Sequence, residues 1–159
     1  MSNKRITRET MLAEIVSIVA KRSTCLRRQV GALIVRDGRI LSIGYAGSPA
    51  GLPHCLDVGC LVGPDGGCLR TQHSEANAIA FAARNGIRVE GSDLWCSLTP
   101  CLSCAKLIIN SGVKRIWALE PYRELSGVDL FLRAGGELFL TENDEFFSIT
   151  SSKDITSST

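Results

Sequence analysis

Four residues of this chain have types and spacings suited to chemistry: His73, Glu75, Cys101 and Cys104. Cys101 and Cys104 stand at i and i+3, on one face of a predicted helix. His73 opens another. A helix N-terminus lowers a thiol pKa and favours the thiolate that zinc needs. One imidazole and two thiolates leave the fourth tetrahedral position of a zinc ion open to water. Zinc brings that water's pKa to roughly 7 and yields hydroxide at neutral pH. Glu75 is placed to reach the water without binding the metal. A carboxylate there takes the water's proton and passes it to a ring nitrogen, then to a leaving amine. The chemistry predicted is hydrolytic deamination of an aminated heterocycle.

H-x-E followed by P-C-x-x-C is the signature of zinc deaminases, and Pro100 supplies the proline. Each half alone says little. H-x-E is common, and C-x-x-C also marks structural zinc or a redox pair. A redox pair leaves His73-Ser74-Glu75 unexplained, and structural zinc has no use for Glu75. A non-catalytic zinc-binding module is the rival reading, with Glu75 an ordinary carboxylate at a helix N-terminus.

The positioning elements are legible from pattern. Leu12, Ile15, Val16 and Val19 keep a helical period from about Thr10. Residues 29–36 and 39–45 read as strands joined at Asp37-Gly38. Residues 73–84 read as a helix ended by Asn85-Gly86, and 93–98 as a buried strand. The helix after Pro100 stops at Gly112. Residues 115–119 and 137–140 read as strands around a helix over 128–134. The order α-β-β-α-β-α-β-α-β predicts one α/β domain over 1–159, with helices on both faces of the sheet. Residues 1–9 and 148–159 are expected to be poorly ordered. Between Ala46 and Thr71 no period survives, and a loop this long is functional or pinned.

The balance of 18 Lys+Arg against 16 Asp+Glu, net +2, offers no polybasic surface for nucleic acid. No apolar run reaches membrane-span length. The first residues lack a signal-peptide core, and seven cysteines without one point to a reducing cytoplasm.

The segments HSEANAIAFAARNG (from His73), GSDLWCSLTPCLSCAKLIINSGVKRI (from Gly91) and GYAGSPAGLPHC (from Gly44) resemble the deoxycytidylate (dCMP) deaminases, over roughly 11–140. The resemblance implies a three-layer αβα sandwich on a mixed five-stranded sheet, and conversion of dCMP to dUMP and ammonia. It makes His73, Cys101 and Cys104 the zinc ligands and Glu75 the proton shuttle. Tyr122, Ala46 and Ser48 fall where the family meets substrate. Two departures stand out. Ser74 replaces the usual alanine of His-Ala-Glu, with little change expected. Ala46 replaces the asparagine of Gly-Tyr-Asn-Gly, and losing its hydrogen bond costs about 0.5–1.5 kcal/mol. That opens the alternative of a 5-modified dCMP as substrate.

The resemblance further implies a second, structural zinc, with ligands drawn from Cys25, His54, Cys55, Cys60 and Cys68. Free thiols and a surface histidine are the alternative there. Cys96, inside an apolar strand, reads as core. Activation by dCTP with magnesium, inhibition by dTTP and a homohexamer are family properties. Arg84, Arg27 and Arg28 are the corresponding effector candidates. Another nucleobase or nucleoside, including a tRNA adenosine, is the remaining enzymatic alternative. The expected location is the cytoplasm, or a host's cytoplasm for a viral protein.

Overall fold

The computed structural model describes residues 5–156. Residues 1–4 and 157–159, within the termini expected to be poorly ordered, lie outside the described residues. Helix α1 (Arg8–Ala20) starts two residues before the expected point, because Thr7 caps it: the Thr10 amide donates to the Thr7 hydroxyl at 3.0 Å. Strands β1 (Gly31–Arg36) and β2 (Arg39–Tyr45) form the predicted hairpin, with Asp37 and Gly38 at φ 51° and 72°. The long loop contains one short helix, α2 (Cys55–Val58). Helix α3 (Ser74–Arg84), strand β3 (Asp93–Leu98), helix α4 (Leu102–Asn110), strand β4 (Arg115–Glu120), helix α5 (Ser126–Arg133) and strand β5 (Glu137–Glu142) follow.

The sheet has six strands, ordered β2-β1-β3-β4-β5-β6, and not the expected five. The sixth, β6 (Glu145–Ile149), pairs antiparallel with β5 across Asn143-Asp144, both in the left-handed region. The C-terminal expectation is corrected with it. Residues 152–156 form α6 (Ser152–Thr156), and Ile149 and Ile155 are buried in the core. Asp154 accepts the Thr150 and Ser151 amides at 2.8 and 2.9 Å, capping that helix. The Thr150, Ser151 and Ser152 hydroxyls donate to the Asp154 and Asp129 carboxylates, so a polar composition hid an ordered end.

Strands β3, β4 and β5 run parallel, while β1 is antiparallel to β3. Period-two alternation divides the core. Ala32, Ile34, Leu94, Cys96, Ile116 and Ala118 pack with α3, α4 and α5; Leu33, Val35 and Trp95 pack with Leu12 and Val16 of α1. The result is the predicted αβα sandwich. Among the described residues no helix is long and apolar enough to cross a membrane.

Candidate active site

Two glycines let the helix ends reach their places. A Cβ on Gly44 of β2 would strike the Ser74 carbonyl oxygen and lie 2.5 Å from the Ala78 amide nitrogen. A Cβ on Gly127 of α5 would strike the Pro100 carbonyl oxygen and lie 2.7 Å from the Cys101 carbonyl carbon. Only glycine allows so close an approach. The N-termini of α3 and α4 are thereby seated against neighbouring backbone.

His73 is the N-cap of α3 and Cys101 the N-cap of α4. His73 Nδ1 lies 3.4 Å from Cys101 Sγ and 3.5 Å from Cys104 Sγ. Tetrahedral zinc with Zn–N near 2.05 Å and Zn–S near 2.3 Å separates N and S by about 3.6 Å. The three residues therefore fit a zinc ion as they stand. The Cys104 hydrogen bond, then that of His73, brings the Cys101 thiol down to about 4 against the desolvation it suffers. Glu75 is 4% exposed, and burial raises its carboxyl pKa. The fully buried Ser74 hydroxyl donates to Glu75 Oε2 at 3.0 Å.

A cleft of about 550 Å³ opens beside this group, and its wall includes His73, Glu75 and Cys101. It lies past the C-terminal ends of β3 and β4, a usual ligand position in α/β sheets. Of the substrate candidates, Tyr122 and Ala46 line it. The Tyr122 amide donates to Thr99 Oγ1 at 2.8 Å, tying the ends of β4 and β3 together. Ser48 is absent from the wall, and its buried hydroxyl has no partner among the described residues. Arg27 and Arg28 line the cleft; Arg84 does not. Arg84 is exposed in the last turn of α3, about 16 Å along the helix from His73.

Arg123, which no motif singled out, also lines the cleft. Its guanidinium sits 5.6 Å from the Tyr122 ring centroid and donates to the Asp65 carbonyl at 3.3 Å. Its place directly after Tyr122 was the one available signal.

Cys25, Cys55, Cys60 and Cys68 come together, with every Sγ within 4.8 Å of the others. Cys55 and Cys68 are 3.6 Å apart, and Cys25 and Cys60 4.0 Å. A tetrahedral zinc separates its sulfurs by about 3.8 Å. His54 stands outside the group, its Nδ1 2.9 Å from Thr24 Oγ1. Despite desolvation, the Thr71 hydroxyl and backbone amides bring the Cys68 thiol down to about 6, whereas desolvation takes Cys60 up to about 11. Cys25 and Cys68 also face the cleft. Cys96 is fully buried in the core, as expected.

A family model described as the cytidine and deoxycytidylate deaminase zinc-binding region matches residues 6–120. The chain belongs to that deaminase family. ComE operon protein 2 of Bacillus subtilis is 42% identical over 129 residues, covering 80% of this chain and 68% of the relative. The deoxycytidylate deaminase of Enterobacteria phage T4 is 35% identical, over 79% of this chain and 86% of its own. A solved dCMP deaminase of cyanophage S-TIM5, in complex with dCMP and dUMP, superposes with a TM-score of 0.77 at 28% identity. That match covers 87% of this chain and all of the other. Zinc is the metal this deaminase domain binds. The His73, Cys101 and Cys104 trio, with its near-tetrahedral spacing, is where the donor set suits it.

Proposed function

We propose that this deaminase hydrolyses dCMP to dUMP and ammonia. The observation that carries the reading is the cleft, whose wall includes Glu75 together with three arginines, Arg27, Arg28 and Arg123. Arginine is suited to phosphate through its planar fork of donors. Relatives named for the same substrate support it.

His73, Cys101 and Cys104 would hold zinc, which when bound supplies a water acidic enough to ionise near pH 7. Glu75 takes a proton from the attacking water and delivers it to the pyrimidine ring nitrogen. It then moves the water's second proton to the amino nitrogen, which leaves as ammonia from C4. Glu75 ends as it began, so the balance is dCMP plus water to dUMP plus ammonia. Its buried position keeps bulk water from the proton in transit. The test is Glu75→Ala, which should keep its zinc and lose at least about a thousandfold in kcat. Full turnover in that variant would remove Glu75 from the mechanism, and a wild type that binds zinc without releasing ammonia would return the site to a zinc-stabilised binding module.

A 5-substituted dCMP is the second reading, favoured by the small Ala46 side chain in the cleft wall. Ammonia release from dCMP, CMP, deoxycytidine, 5-substituted dCMPs and an RNA hairpin separates these substrates from a tRNA adenosine. The Cys25, Cys55, Cys60 and Cys68 group is the proposed structural zinc site, with His54 left to hydrogen bonding. Activation by dCTP with magnesium, inhibition by dTTP and a homohexamer rest on the resemblance. So does Arg84 as effector contact. An Arg84→Ala protein should show a shifted dCTP activation curve, and an unchanged curve removes Arg84 from the model. A reducing cytoplasm, of a cell or of a virus's host, suits seven unpaired cysteines in this scheme.

A further inference from the structure

We propose that Ser74 is a positioning residue that holds Glu75 Oε2, so that the proton in transit is carried on Oε1. The inference rests on the reading of Glu75 as proton shuttle. A carboxylate has two equivalent oxygens, and its terminal torsion is broad and two-fold. Left alone in a buried site, it can present either one. The Ser74 hydroxyl removes that equivalence by donating to Oε2 at 3.0 Å.

The hydroxyl is itself held. Ser74 is fully buried at the first position of α3. Its carbonyl packs directly over Gly44, and the Asn77 side-chain amide donates to the Tyr45 carbonyl at 2.8 Å. The first turn of α3 is thus fixed to β2 on two counts. An alanine in the place of Ser74 would offer no such donor. During the reaction an O–H bond of water breaks as one forms on Oε1. That bond breaks in turn as the proton goes to the ring nitrogen. The Ser74 proton stays on its own oxygen throughout.

The experiment compares Ser74→Ala, Glu75→Gln and the double variant, with zinc content measured for each. Ser74→Ala should lower kcat for dCMP roughly tenfold, leaving KM within about twofold and the zinc content unchanged. It should also weaken a pyrimidin-2-one deoxynucleotide that adds water across its N3=C4 bond and binds as that hydrate, read by calorimetry, while dUMP binds as before. In the Glu75→Gln background the serine change should have no further effect. Wild-type kcat in Ser74→Ala overturns the proposal. An equal loss in both backgrounds also overturns it, because the serine would then act on structure alone. Wild-type kcat in Glu75→Gln is a different failure, that of the shuttle reading.

Discussion

Arg123 carries one of the three positive charges in the cleft wall, and its chain contacts pre-orient it over Tyr122 and against Asp65. A charged hydrogen bond to a phosphate is worth about 1.5–3 kcal/mol, or roughly ten- to a hundredfold in kcat/KM. Arg123→Ala should cost that much on dCMP and much less on deoxycytidine, in steady-state assays of both. Equal losses on the two would place Arg123 away from the phosphate. At the same scale, the Ser74 hydroxyl gives the Glu75 carboxylate a donor that an alanine in its place would lack.

Helix ends do the positioning at the scale of elements. His73 and Cys101 are N-caps whose side chains make no capping bond, which leaves their ligand atoms free for a metal. At the other end of the chain, α6 depends on Asp154. Amide and hydroxyl donors from Thr150 and Ser151 hold its carboxyl below its ordinary value near 3.8. A depressed carboxyl adds stability above its unfolded pKa and loses it as pH falls through the folded value. Wild type should therefore melt above Asp154→Asn at pH 7, with the gap closing as the pH falls below about 3.8. A gap constant from pH 7 to pH 2 would mean that the carboxylate charge does not contribute.

For the molecule as a whole, the loop from Ala46 to Thr71 must be fixed for the cleft to have a wall. Gly47 bridges Gln72, Val62 bridges Cys68 and α2 adds a single turn, but the rest of the stretch is irregular. Four thiols converge there from Cys25 and three loop positions, and the zinc proposed on them would supply the missing constraint. Cys60→Ser, a change outside the cleft wall, should halve the zinc bound per chain and lower Tm by roughly 5 °C or more. Elemental analysis and a melting curve read both. Unchanged zinc content would leave those four cysteines as free thiols.

The local chemistry and most elements were legible in the sequence alone. Hydrophobic period depends on neighbours in the chain, so α1, β1, β2 and β3 could be read directly. Their bounds differ by a residue or two at caps such as Thr7. The H-x-E and P-C-x-x-C spacings located the His73, Cys101 and Cys104 group because helix N-termini impose short-range geometry. Strand β6 and helix α6 were missed, since what holds them is the Asp154 cap of α6 and the isolated Ile149 and Ile155, which reach a distant core from a polar stretch. The Cys25 group without His54, Arg123 in the cleft and the Ser74 bond to Glu75 were decided only by tertiary structure. Each depends on distances between side chains or on a rotamer, and chain order does not specify either one.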